Sequence, residues 1–193
     1  MNDIIAQKIS LRKTLTQKRN IIKKKSSIEF NANIFNELKK YINFEEINNI
    51  ASFISIRSEI STNLLNEKII ELNKTLALPV IKNNSEELIF KKANLYGDFK
   101  LGKFNIPEPL NENQELFPQL FFVPCLGFDL KGYRLGYGGG FYDKTFAKLK
   151  KLKFKFYAVG FAFDDQKHIK IPKESFDYKL DFVLTEKQLY KFI

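Results

Sequence analysis

The chain has 193 residues, 44% of them apolar, and a formal net charge of +10. It is long enough for one hydrophobic core and too apolar for a disordered polymer, and no apolar run approaches the roughly 20 residues that span a bilayer. Its single cysteine, Cys125, excludes an internal disulfide and fits a reducing compartment, so the chain is expected to be cytoplasmic, a single domain over residues 1–193. Beside Pro124, Cys125 reads as a small buried residue and not as a nucleophile. Ten Lys/Arg among residues 1–40 face only Asp3, Glu29 and Glu37, so seven of the ten net charges lie there. Such basicity admits nucleic acid or a polyanionic small molecule; no recognised nucleic-acid motif accompanies it.

In chain order, residues 2–25 predict a helix with Ile4, Ile5, Leu11, Leu15, Ile21 and Ile22 as its apolar stripe. Lys8 and Arg12 are four apart and share one face, which by itself reads as a solvated basic face. Ser26 and Glu29 form a capping-box pattern for a second helix carrying Ile34, Phe35, Leu38 and Ile42. A strand over 50–56, a helix over 62–72 with Leu64, Leu65, Ile69 and Leu72 inward, and a strand over 75–81 make a βαβ-like unit. The expected fold is therefore α/β: a central, mostly parallel mixed sheet flanked by helices in a Rossmann-like three-layer arrangement. Glu59, just past the first strand, reads on its own as an exposed loop glutamate. Residues 88–93 predict a short strand and 94–118 a long loop. Strands are expected at 121–123, 155–163 and 182–184, and His168, with no second His or Cys nearby, reads as a surface residue.

Glycine sets residues 121–145 apart. Six glycines fall between 127 and 140, after an apolar run closed by Pro124 and before a helical rhythm through Phe141, Phe146, Leu149 and Leu152. A strand, a glycine-rich turn and a helix start suit a phosphate, because free N–H groups and the helix dipole face an anion there. Arg134 adds a cationic fork, and Asp143 serves either as a dipole partner or as a holder of Mg²⁺ riding on phosphates. The alternative is a structural glycine hairpin with a capped helix, in a basic protein that binds nucleic acid. Neither a Walker ending nor a complete GxGxxG is present.

The run Pro124-Cys125-Leu126-Gly127-Phe128-Asp129, then Gly132, then Arg134 to Asp143, closely resembles the signature of the 5-formyltetrahydrofolate cyclo-ligase family. The likeness extends in order from the Lys8 element to Asp177, and it implies ATP-dependent closure of 5-formyltetrahydrofolate to 5,10-methenyltetrahydrofolate by a monomer, with no nucleic acid and no membrane. By this resemblance Lys8, Ile9, Ser10, Leu11 and Arg12 contact ATP, together with Arg134, Leu135, Gly136, Tyr137, Gly138, Gly139, Gly140, Phe141 and Tyr142. Ile54 packs on the folate and Glu59 hydrogen-bonds its pterin, with Tyr137 to Phe141 flanking the same substrate. Asp143 and Asp177 are the implied Mg²⁺ carboxylates. Residues 104–109 resemble a substrate-flanking segment, less specifically. Some members carry Arg and Lys where this chain has Tyr137 and Gly139. Lys8 and Arg12, projecting from the polar face of the first helix, are expected to supply the missing charge.

Overall fold

In the computed structural model, which describes residues 2–27, 30–82 and 85–193, one short apolar run sets the layering. Side chains alternate along a strand, so Leu120 and Phe122 enter one core while Phe121 and Val123 enter the other. A strand buried on both faces reads as a continuous apolar run, which is how residues 120–123 appear in the sequence.

The chain begins α1 (Asn2–Lys25), α2 (Ala32–Glu37), β1 (Asn49–Ala51), α3 (Asn63–Glu71), β2 (Thr75–Ile81) and β3 (Leu88–Lys92). Three short strands follow, β4 (Phe99–Leu101), β5 (Pro107–Pro109) and β6 (Glu115–Leu116), and then the central β7 (Leu120–Pro124). A small hairpin, β8 (Gly127–Phe128) and β9 (Arg134–Leu135), precedes α4 (Phe141–Lys151). The chain closes with β10 (Tyr157–Phe161), β11 (Phe182–Leu184) and β12 (Leu189–Lys191).

The main sheet has eight strands in the order β12-β11-β10-β7-β1-β2-β3-β6. From β11 to β2 the pairings are parallel; β12, β3 and β6 are antiparallel additions at the edges. Phe35 and Leu38 around α2 and Leu65 and Ile69 of α3 cover one face. Phe146 and Leu149 of α4 cover the other. This is the mixed α/β, three-layer architecture that the strand and helix patterns predict.

Helix α1 departs from its expected stripe. Ile5 and Ile21 are exposed; Leu11, Leu15 and Ile22 of the stripe do turn inward, and Lys8 and Arg19 are buried with them. Leu15 packs with Leu126, Leu135 and Ile171, so the middle of α1 lies against segments beyond the strand ends, while Ile22 reaches the core of one sheet face. Those segments present polar groups as well as apolar ones, and two cations can therefore be buried on this helix.

Other boundaries shift for local reasons. Asn31, not Ser26, caps α2, its Oδ1 accepting the N–H groups of Asn33 and Ile34 at 3.1 and 3.4 Å. The Ser26–Glu29 capping box falls on Ile28 and Glu29, outside the described residues. The strand expected over 50–56 leaves the sheet after Ala51, because Thr62 Oγ1 donates to Phe53 O at 2.7 Å and Ser55 Oγ to Ile60 O at 2.7 Å, folding the segment back on itself. Leu64 and Leu152 are exposed instead of facing inward. The long loop at 94–118 contains the β4–β5 hairpin and β6, and β12 was not foreseen at all. No described helix is long and apolar enough to cross a membrane.

Candidate active site

The parallel strands β1 and β7 are neighbours near the middle of the sheet, and the chain leaves them in opposite directions, toward β2 and toward β10. A crevice at the carboxyl ends of such strands is where open α/β sheets bind ligands. The 52–62 segment issues from β1 and the glycine-rich segment from β7, so both candidate motifs meet at this crevice.

The glycine segment is a strand, a hairpin and then a helix, not one continuous turn. Asp129 organises the hairpin: Oδ1 accepts the N–H groups of Lys131 and Tyr133 at 2.9 and 3.0 Å, and Oδ2 that of Ile171 at 3.0 Å. Gln166 anchors the strand exit through Nε2, which donates to Cys125 O at 2.7 Å and Leu126 O at 3.1 Å. Cys125 is buried and its thiol is pushed up to about 12 by desolvation, which suits the inert role expected of it. The loop then runs from Gly136 into α4 through Gly138 at φ +109° and Gly140, the N-cap, at φ +67°. These left-handed conformations are costly for any side chain and leave the N–H groups before α4 without a side-chain cap.

Two cations converge on this loop. Arg12 Nε donates to Gly136 O at 3.0 Å, and its guanidinium would lie 3.4 Å from a Cβ placed on Gly138. Arg134 Nη2 donates to Asp143 Oδ1 at 3.0 Å, and Nη1 reaches Tyr178 O at 3.4 Å. Tyr142 follows the loop with its hydroxyl buried and unpartnered among the described residues, and desolvation pushes its pKa up.

Lys8 is not on the polar face of α1. It is 7% exposed, with Nζ 2.8 Å from Glu174 Oε2 and 2.6 Å from Asp177 Oδ2. Its single charge is already matched, so the expectation of a free, outward Lys8 is corrected. Asp177 Oδ2 also accepts the Glu174 N–H at 2.7 Å. Asp143 and Asp177 approach each other through the chain, since Asp143 Oδ1 accepts the N–H of Tyr178 at 3.0 Å. Each carboxylate thus binds a cation through one oxygen, leaving Asp143 Oδ2 and Asp177 Oδ1 without a hydrogen bond among the described residues. Two carboxylate oxygens beside a glycine-rich loop at a helix start would fit Mg²⁺, which takes one or two carboxylates and completes its shell with phosphates and water.

Glu59 is not an exposed loop residue. It is 5% exposed, and Oε2 accepts the N–H of Ile56 at 2.9 Å. Burial pushes its pKa up, while the Ile56 N–H, Arg19, the Tyr137 hydroxyl and Arg57 pull it down. Arg57 sits at φ +54°, a strained left-handed conformation for a non-glycine residue, and its guanidinium lies 5.8 Å from the Tyr137 ring centroid. Ile54, at the same loop, is half-buried against the core. Of the N-terminal run, Ile9 is exposed and Leu11 packs at the Leu15 cluster, so the ATP contacts expected of Ile9 to Leu11 rest on the resemblance.

The sequence reading overlooked Arg19. It is 1% exposed, and its guanidinium bonds the Tyr137 hydroxyl, Ser58 Oγ at 3.2 Å and Cys125 O at 3.3 Å, with Glu59 Oε1 at 3.8 Å. Its position offered a signal, being i+4 from Leu15 and i+7 from Arg12 on one helix face.

Comparison with known proteins adds independent evidence. A profile described as the 5-formyltetrahydrofolate cyclo-ligase family matches residues 4–186. The chain is 34% identical over 142 residues to 5-formyltetrahydrofolate cyclo-ligase of Haemophilus influenzae, covering 71% of this chain and 75% of that one. The enzyme of the same name from Escherichia coli K12 is 31% identical over 147 residues, 74% and 80% of the two chains. The solved structure of Aquifex aeolicus 5,10-methenyltetrahydrofolate synthetase superposes with a TM-score of 0.70 at 27% identity, over 96% of this chain and 92% of that one.

Proposed function

The chain belongs to the 5-formyltetrahydrofolate cyclo-ligase family, and on that premise we propose that it closes 5-formyltetrahydrofolate to 5,10-methenyltetrahydrofolate at the expense of ATP. The observation that carries the reading is the meeting, at one crevice, of the glycine loop with Arg12 and Arg134 and the loop that bears Glu59.

The formyl oxygen is a poor leaving group. Transfer of the γ-phosphoryl of ATP to it releases ADP and forms a C–O–P linkage. N10 then attacks the formyl carbon, the C–O bond breaks, inorganic phosphate leaves, and N10 gives up its proton as the ring closes. Phosphoryl transfer of this kind depends on positioning and charge neutralisation, and no covalent protein nucleophile is required. The N–H groups of residues 138–141 and the guanidinium groups of Arg12 and Arg134 bind and orient the polyphosphate. Lys8 joins them once the phosphates draw it from Glu174 and Asp177. Asp143 and Asp177 would hold Mg²⁺ through their open oxygens, and the ion would neutralise phosphate charge. Glu59 as a carboxylate accepts two hydrogen bonds from adjacent pterin N–H groups and orients the folate, with Ile54 against its ring.

The direct test is purified protein with 5-formyltetrahydrofolate and Mg-ATP. One ADP is expected for each methenyltetrahydrofolate formed. ADP release without ring closure, or no turnover at saturating substrates, overturns the reading.

A further inference from the structure

We propose that Arg19 is a positioning residue for folate: with the Tyr137 hydroxyl it fixes the Glu59 carboxylate in the buried orientation that meets the pterin, and ties it to the glycine loop. The inference rests on the pterin role given to Glu59 above.

A guanidinium this deeply buried on α1 must be matched by hydrogen bonds and charge, or it costs several kcal/mol. Each of its contacts lies on an element of the site. Ser58 Oγ at 3.2 Å belongs to the β1 loop, Cys125 O at 3.3 Å to the exit of β7, and the Tyr137 hydroxyl to the glycine loop. Glu59 Oε1 at 3.8 Å is its only carboxylate partner among the described residues. The Tyr137 hydroxyl accepts from Arg19, and both groups favour the Glu59 carboxylate electrostatically. Arg19 also lies against the Tyr137 ring, 5.3 Å from its centroid. A planar fork that serves four partners at once leaves little freedom to Glu59, and lysine cannot reproduce it.

The geometry also explains Tyr137 itself. Its phenol has the right length to meet a cation contributed by α1. The groups facing Glu59 are Arg19 from α1, Arg57 and the Ile56 N–H from its own loop, and Tyr137 from the glycine loop; Cys125 and Tyr142 stand near enough to feel its charge. Arg19 is the fully buried cation of this set. Without it the carboxylate retains its desolvation and loses a compensating charge.

The test is steady-state kinetics on Arg19→Gln, Arg19→Lys, Glu59→Gln and the Arg19→Gln/Glu59→Gln pair, with KM for folate and for Mg-ATP measured from pH 6 to 9. Arg19→Gln is expected to raise the folate KM at least about tenfold and to leave the Mg-ATP KM within about twofold. The folate KM should recover as pH rises, because Glu59 must now be deprotonated without its guanidinium. Arg19→Lys should recover part of the loss at neutral pH. In the Glu59→Gln background, Arg19→Gln should add less than about twofold. Additive losses, equal changes in both KM values, or a pH-independent loss overturn the role of Arg19 while leaving that of Glu59. An unchanged folate KM in Glu59→Gln overturns both. Should the Arg19 variants not fold, Tyr137→Phe, which deletes only the hydroxyl that Arg19 meets, must raise the folate KM and do so non-additively with Glu59→Gln; an unchanged or additive result overturns the inference.

Discussion

Lys8 Nζ lies 2.6 Å from Asp177 Oδ2, so a side chain expected to meet phosphate and one expected to meet metal instead hold each other. Arg134 and Asp143, 3.0 Å apart, repeat the arrangement at the start of α4. On the proposed function, Mg-ATP would offer both pairs an exchange, cations to phosphate and carboxylates to the metal. Each buried charge would then face an opposite charge in either state, which limits the cost of keeping such groups buried between turnovers.

This pairing sets the first prediction. Lys8→Ala should weaken Mg-ATP binding at least about tenfold and also lower stability, by about 1–3 kcal/mol, because Glu174 and Asp177 lose a shared, largely buried cation. Arg12→Ala should weaken Mg-ATP binding with little change in Tm, since one hydrogen bond to Gly136 O is lost at a partly exposed site. Calorimetric titration and thermal melts of the two variants check this. Equal Tm losses contradict the difference in burial.

Asp143→Asn should reduce kcat by at least about a hundredfold while leaving the melting temperature within a few degrees. An asparagine Oδ1 can still accept the Tyr178 N–H and the Arg134 guanidinium, so the local fold keeps its bonds. What disappears is the negative charge available to Mg²⁺. Wild-type kcat at saturating Mg²⁺ excludes the metal role.

Glu59 gives a pH dependence with a definite sign. Burial raises its pKa above the ordinary 4.5, so the folded chain binds this proton more tightly than the unfolded chain. The stability contributed by Glu59 is therefore full below the ordinary value and is lost as pH rises through the raised one. In melts across this window, wild type should lose stability relative to Glu59→Gln as pH increases. Folate binding should run the opposite way and weaken as pH falls through the same raised pKa, because the pterin needs the carboxylate. A flat difference between the two melting curves contradicts the assignment.

Two glycines separate backbone strain from ligand approach. A Cβ at Gly136 meets nothing within 4 Å, whereas Gly138 has φ +109°. Gly136→Ala should leave stability within about 0.5 kcal/mol, and any loss of ATP affinity there reports a phosphate close to the backbone. Gly138→Ala should cost about 1–3 kcal/mol through strain alone. Denaturant titrations beside ATP titrations distinguish the two, and a stable Gly138→Ala variant refutes the strain.

Much of the architecture was legible because it rests on local periodicity. The run at 121–123, the strand at 75–81 and the helix after Gly140 depend on alternation and on glycine conformation, which neighbouring residues decide. Family membership was legible for a related reason: a loop shaped to approach a ligand closely restricts its residues and their spacing over a long stretch.

The partners of charged side chains were not legible, because they come from distant segments. Lys8 meets residues more than 160 positions away, and Arg19 finds Ser58, Cys125 and Tyr137 on three different loops. By residue type both cations look solvent-facing, although their spacing puts them on the face of Leu15, and the burial of Glu59 looks improbable. The composition and order of residues determined the layers of the sheet and the glycine loop between β7 and α4. Only the tertiary structure decided that α1 lies over the strand ends, where hydrogen bonds and opposite charges compensate the desolvation of Lys8, Arg19 and Glu59 and make buried ions part of the site.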